Sequence, residues 1–333
     1  MSDSRPEDAS AVDATIIVPA FNVEDYLETA LRRLVEQTHP SFEVVVIDDA
    51  STDATGTIGR EFAGSHPRVR YLQQSLNEGV AAARERGVRE ARGEFVWFVD
   101  ADDDWPADAL ATLVAAARRH RADVVCAGAE YLLVDGTRKP VGALGAPREL
   151  GARSAFLGFL RGDLTGHLWN KLFRRDLLGT IDFTRSRQHS DQAMVAQAIA
   201  HAGVVALIDV DVYTYKLRQG SIIRSGSRRA ESLATVSSVV RATAASLDPA
   251  LLESPDFRYY TARFDVLSRM KDAASPAYGT DESGRLVREI RKSLTAPVLW
   301  STVRKRDFKR FALLTAARVS MPAFRVGIRR GGA

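Results

Sequence analysis

FVWFVDADDDWP, residues 95–106, decides the fold. An unbroken run of β-branched and aromatic side chains, Phe95 to Val99, passes directly into a carboxylate cluster at Asp100, Asp102, Asp103 and Asp104. A short apolar run without alternation suits a strand buried on both faces, as in a parallel sheet. The acids then fall in the turn at its carboxyl end, the edge where open α/β sheets bind ligands. Asp100 and Asp102 are placed to share one divalent cation with Asp103, and Mg²⁺ or Mn²⁺ prefers such carboxylates together with substrate phosphate oxygens. On the acids alone a second reading stays open, in which Asp102 to Asp104 only cap the helix expected to open at Pro106. An EF-hand loop starting at Asp100 is excluded, because its sixth position is Trp105 where Gly is required and its twelfth is Ala111 where Glu is required.

The same texture recurs on either side. From Ala14 to Gly128, strand-like runs at Thr15 to Val18, Phe42 to Ile47, Val69 to Gln73, Glu94 to Val99 and Asp123 to Ala127 alternate with helical stretches. Leu27, Leu31, Leu34 and Val35 share one helical face, and Gly79 to Arg92 and Pro106 to Arg119 are rich in helix formers. The alternation predicts a mostly parallel sheet flanked by helices. Two further strands end in polar clusters, Val18 in Pro19-Ala20-Phe21-Asn22 and Ile47 in Asp48-Asp49-Ala50-Ser51-Thr52-Asp53, so three loops converge on one crevice. Neither G-x-x-x-x-G-K-[ST] nor G-x-G-x-x-G occurs, which leaves the neutralisation of any phosphate to other groups.

After Gly136 come turns at Gly142 to Pro147, a helical segment near Ser154 to Leu160, the block Leu168 to Leu178, a helix from Ser190 to Ala202, and two short strands, Val204 to Ile208 and Val212 to Lys216. Beyond Arg228 the pattern is helical, interrupted near Pro255, Pro276 and Pro297. The expected division is a disordered segment 1–13, an α/β domain 14–225 with halves 14–128 and 129–225, and a helical region 226–333. The last part, APVLWSTVRKRDFKRFALLTAARVSMPAFRVGIRR (296–330), is basic and amphipathic. It either lies on an anionic membrane surface or packs on the α/β domain with a solvated basic face.

The 333 residues, 45% hydrophobic and 26% charged, suit one large domain or two smaller ones. Formal charge is +4, with the bases gathered toward the tail and the acids around Asp48 and Asp100. No apolar stretch approaches the roughly 20 residues of a membrane span, and the polar, acidic start does not resemble a signal peptide, so a cytoplasmic location is expected, peripheral on the inner membrane face if the tail docks there. The single cysteine, Cys126, lies in an apolar run and is read as a buried, inert thiol. Nucleic-acid binding is not expected, since no recognisable module or stacking pattern accompanies the basic residues.

IIVPAFNVEDYLETALRRLVEQT, FEVVVIDDASTDAT, LNEGVAAARERGVREARGEFVWFVDADDDW and LWNKLFRRDLL, in that order, resemble the family 2 glycosyltransferases of GT-A fold over roughly residues 14 to 220. The resemblance implies a Rossmann-like half that binds a nucleotide-diphosphate sugar and an inverting transfer to a glycan or lipid-linked glycan acceptor, here a bacterial surface or cell-envelope polysaccharide. It implies that Pro19 to Asn22 wrap the nucleoside, that Asp49 holds the base with Asp48 close by, and that Asp100-Ala101-Asp102 binds metal and diphosphate. Uridine is the favoured base. Asn77 and Arg84 match a motif near the nucleotide, against the plainer reading of Arg84 as a solvated helix residue. The family's acceptor-side Glu-Asp pair corresponds to Ser190-Asp191, so Asp191 is the expected catalytic base although the Glu is absent. Asp191 as a mere helix-start charge, and His189 as a substitute base, are the alternatives. Two other functions are alternatives: a non-catalytic nucleotide-sugar binding protein, which the missing Glu would suit, and a nucleotidyltransferase, which the absent phosphate loop disfavours. The helices after Arg228 are available to dimerise or to cover the acceptor cleft.

Overall fold

The computed structural model describes residues 12–142, 144–218 and 228–330, with side chains to residue 328. The expected disordered start falls largely outside this range, as does the expected domain boundary near residue 225. Strands β1 (Ala14–Ala20), β2 (Phe42–Asp48), β3 (Val69–Gln73), β4 (Phe95–Phe98) and β5 (Val124–Leu132) lie where the apolar runs place them. Between them run α1 (Glu24–Val35), α2 (Thr55–Ser65), α3 (Val80–Glu90) and α4 (Ala109–His120). Pro106 stands outside α4, which opens three residues later than the sequence suggests. The half ordered β3-β2-β1-β4 is parallel throughout, with β1 between β2 and β4. Strands β2 and β4 are buried along their whole length and β1 at every residue but Pro19, as unalternated strands require, while the edge strand β3 buries only Val69.

The second half departs from a purely parallel sheet. After β6 (Arg138–Pro140), β7 (Arg148–Leu150) and α5 (Ala152–Arg161), the block Leu168 to Leu178 resolves into β8 (Lys171–Arg174) and the short helix α6 (Arg175–Leu178). Strand β8 inserts antiparallel between β4 and β5. Helix α7 (Ser190–His201) follows, and the two short strands expected at 204–216 are one strand, β9 (Val205–Lys216), parallel to β5. Exposed Asp209, Val210 and Asp211 mimic a turn in sequence, but the pairing runs through them with register shifts around Gly128. A Cβ on Gly128 would stand 2.4 Å from Asp211 Oδ1, so glycine is what lets the irregular strand pass.

One face of the sheet buries α1 and α4 through Leu27, Leu31, Leu110 and Leu113, while the other buries α5 and α7 through Phe156, Phe159, Met194 and Ile199. Helix α8 (Ala230–Leu247) joins the second core through Leu233, Val236 and Val240, so the start of the C-terminal region is packed against the sheet-bearing part of the chain. Beyond a 3₁₀ turn, helices α9 (Pro255–Tyr260), α10 (Arg269–Ala273), α11 (Thr280–Ser293), α12 (Ala296–Arg304), α13 (Phe308–Val319) and α14 (Met321–Arg330) follow. Thr261 to Ser268, between α9 and α10, is π-helical. The helical pattern breaks near Pro255 and Pro297, each of which lies in the first turn of the helix that follows. A separate small core, including Val266, Met270, Ile290, Leu314 and Phe324, ties the tail to this region. Among the described residues no helix is long and apolar enough to cross a membrane.

Candidate active site

The loops after β1 and β2 lock onto each other. Asn22, at φ +51°, accepts from the Thr52 N–H through Oδ1 at 2.9 Å and donates its own N–H to Ser51 Oγ at 3.0 Å. The Val23 N–H donates to Thr55 Oγ1, and the Ala54 N–H to Glu24. This lattice fixes the Pro19 to Asn22 segment, with Ala20 buried and Phe21 presenting its ring 47% exposed at the sheet edge. An exposed aromatic held by a rigid loop is suited to cover the face of a flat ligand.

Asp48 and Asp49 are adjacent in sequence yet serve different elements. Asp48 is buried and accepts from the Ser51 N–H and the Tyr71 hydroxyl, so its carboxylate is directed into the fold. Burial first, and then this carboxylate, push the Tyr71 phenol well up. Asp49 accepts from the Gln74 amide, from the Glu78 N–H at 2.9 Å and from the Gly79 N–H at 2.8 Å. Its negative charge therefore pins the Asn77-Glu78-Gly79 turn and the start of α3. Gly79 has φ +89°, which a side chain rarely adopts, and Asn77 is exposed beside it.

Helix α3 carries Arg84 under the acidic edge. Its residue is 8% exposed, its Nη2 donates to Asp100 Oδ1 at 3.3 Å, and its Nε has no partner in the structure. Arg84 is thus a buried cation facing the cluster, not a solvated helix residue. Asp100 is raised above the usual carboxylate range, first by burial and further by Asp102 and Asp191, with Arg84 offsetting part of the effect. Asp102 is about half exposed and pairs with Arg218 at 3.2 Å, while that guanidinium lies 4.2 Å above the Tyr26 ring.

Asp103 does not join them. It is 5% exposed and accepts from the Tyr213 hydroxyl and the Lys216 N–H, both at 2.9 Å. The three-ligand set expected from the sequence thereby reduces to Asp100 and Asp102, with Ala101 buried between them. Among the described residues no group of three His, Cys, Asp or Glu side chains is arranged to hold an ion. Two carboxylates, each now held by an arginine, still fit a cation of the Mg²⁺ or Mn²⁺ kind, which takes one or two protein carboxylates and completes its shell with substrate oxygens. Asp104 instead fastens the loop, pairing with Arg33 and Lys216 and exchanging backbone hydrogen bonds with Thr214.

The opposite wall is Asp191, in the first turn of α7 and 25% exposed at its side chain. The residue before the helix, His189, adopts φ +62° and supplies no side-chain cap. Burial acts to raise Asp191, but His167, Arg84 and His189 outweigh it and hold the carboxyl below its usual value. His167 is the residue that sequence reasoning overlooked. Its Nδ1 stands 3.7 Å from Asp191 Oδ2, its Nε2 is 3.0 Å from the Tyr131 hydroxyl, and its ring stacks on Trp169 at 4.6 Å. The available signal was its position two residues ahead of Trp169-Asn170-Lys171. Lys171 is 1% exposed and donates to the His167 carbonyl at 2.7 Å and Asn170 Oδ1 at 2.8 Å, fixing the backbone beneath the histidine. Burial lowers this ammonium to about 8. His189 is also depressed by burial. Cys126, buried beside Lys171, has its thiol pushed up by burial, as suits an inert core residue.

A mixed sheet with one parallel half, acids at its carboxyl edge and helices on both faces is the GT-A architecture. The model of glycosyl transferase family 2 matches residues 15–181, and the chain belongs to that family. GlyG, a glycosyltransferase of Streptococcus pneumoniae, is 29% identical over 222 residues, covering 63% of this chain and 73% of its own length. EpsH of Bacillus subtilis, a putative glycosyltransferase, is also 29% identical over 222 residues, 63% of this chain and 62% of its length. Other curated relatives are spanned over less than two thirds of their length, down to 31% for S. pneumoniae GlyA. The crystal structure of S. aureus TarS in complex with UDP-GlcNAc superposes with a TM-score of 0.74 at 22% identity, covering 96% of this chain and 92% of that one.

Proposed function

We propose that this protein transfers a sugar from a nucleoside-diphosphate donor, with uridine as the base, to a hydroxyl of a bacterial surface or cell-envelope glycan, inverting the anomeric centre. The observation that carries the reading is the buried guanidinium of Arg84 donating to Asp100 at the carboxyl edge of the sheet, with Asp102 and Asp191 near enough to raise the Asp100 carboxyl. Membership of glycosyl transferase family 2 supports the reaction class, and the UDP-GlcNAc held by S. aureus TarS supports the donor class.

Phe21 and Asn22 border the nucleoside, and Asp49 maintains the wall formed by Asn77 to Gly79. Asp100 and Asp102 would hold a divalent cation, which supplies a counter-charge for the departing diphosphate. Arg84 adds a fixed cation beneath the same oxygens. Asp191, kept ionised by its neighbours, accepts the proton of the attacking hydroxyl as a positioned general base. Ser190 stands where the resemblance expects a Glu, and His167 is the side chain that supports Asp191.

Donor affinity and turnover of UDP-sugars, measured separately with Mn²⁺ or Mg²⁺, test this division. Asp191→Asn should lower turnover by about 10²- to 10⁴-fold with donor affinity nearly intact, whereas Asp102→Ala should weaken metal-dependent donor binding. Equal loss of donor affinity in both variants refutes the assignment.

A further inference from the structure

The tail packs inward on the C-terminal helices and still presents a second apolar face. Leu314 and Ala317 of α13 and Phe324 of α14 are fully buried in the small C-terminal core. Opposite them, Phe308, Ala312 and Val319 recur at spacings of four and seven, which keeps them within about 40° of one another on an α-helix. All three are exposed, Phe308 to 63% and Val319 to 79%. On the neighbouring α12, Trp300 is 56% exposed and borders a groove of about 540 Å³ lined also by Pro255, Pro297, Arg304 and Phe311. Trp300 thus adds a second exposed apolar side chain on the helix packed beside α13.

The surroundings of this face select the occupant. Residues 296–328 carry seven bases, Arg304, Lys305, Arg306, Lys309, Arg310, Arg318 and Arg325, against the single acid Asp307. A second copy pairing through this patch would set like charges against each other in a two-fold interface. An anionic bilayer is complementary on both counts, since Trp and Phe enter the headgroup boundary while Lys and Arg meet the phosphates.

We infer that helices α12 and α13 form a docking surface for an anionic phospholipid membrane, with Trp300 and Phe308 as the apolar anchors. The surface is independent of the donor site and rests on none of its residues.

Co-sedimentation of the full chain with phosphatidylcholine vesicles, with and without one quarter phosphatidylglycerol, tests it. Binding is expected with the anionic vesicles and should fall steeply in 0.5 M salt. Trp300→Ser with Phe308→Ser should reduce partitioning at least tenfold, and Arg304→Gln and Lys309→Gln by about fivefold each. Thermal stability of the variants, and their stabilisation by UDP with Mn²⁺, should match the parent protein, which separates lost docking from lost folding and from failure of the transferase reading. Equal binding to both vesicle types, undiminished binding by the Trp300/Phe308 variant, or a dimer in sedimentation velocity that this variant abolishes would overturn the inference.

Discussion

Replacing His167 with Asn should make the activity more sensitive to acid. His167 Nδ1 lies 3.7 Å from Asp191 Oδ2. His167 is the strongest of the neighbours that hold the Asp191 carboxyl below its usual value, through hydrogen bonding first and then through charge. Two unit charges near 4 Å interact by about 1 kcal/mol in water and about 4 kcal/mol at an effective dielectric near 20. The side chains are 29% and 25% exposed, which places the pair toward the weaker end of that bracket. A loss of about 1.4 kcal/mol corresponds to roughly one pH unit. The direction follows from linkage: Asp191 is depressed in the folded state, so its ionised form contributes stability above the unfolded carboxylate range that is lost as pH falls through the folded value. Without His167 that loss, and the loss of the base form, begins at higher pH. The assay is the pH profile of UDP release from a UDP-sugar, with thermal stability followed at each pH. The acid limb should move upward by about one unit in His167→Asn, while the plateau falls less than in Asp191→Asn. An unmoved limb, or one displaced downward, refutes the argument.

Three other substitutions probe the supporting structure. Asp49→Ala strands the Glu78 and Gly79 N–H groups and the Gln74 amide; calorimetric titration should show weakened donor binding, and denaturant unfolding a loss of about 3 kcal/mol. Gly93→Ala would bring a Cβ within 2.5 Å of the Ala14 and Thr15 backbone, which has no flexible end to yield; urea unfolding should show a cost of about 2 to 3 kcal/mol. Lys171 is depressed to about 8 by burial, so the unfolded chain binds more protons between about pH 8 and its ordinary value near 10.4, and stability rises with pH across that window. Chemical unfolding at pH 7.5 and 9.5 should show this rise in the parent protein and its flattening in Lys171→Met.

Much of the site was legible in sequence because its parts are local. An apolar run ending in acids specifies a buried strand and the loop beyond it without reference to the rest of the chain, and the five strands from Ala14 to Leu132 appear close to those runs. The motifs around Asn22, Asp49, Asp100 and Trp169 identified the family by order and spacing. Side-chain direction was not legible. Asp48 and Asp49, or Asp102 and Asp103, are equivalent in composition, yet one of each pair turns into the fold to meet Tyr71 or Tyr213.

The sequence by itself determined the alternation of strands and helices, the acidic loops and the basic amphipathic tail, since each is set by residue type and period within one segment. Tertiary structure alone decided that β8 enters the sheet antiparallel, that 205–216 is one strand, that His167 reaches Asp191 across 24 positions, and that α13 keeps an apolar stripe outward. Those outcomes depend on which partner a segment finds at long range. Strand pairing and burial are properties of the assembled core, and no local pattern encodes them.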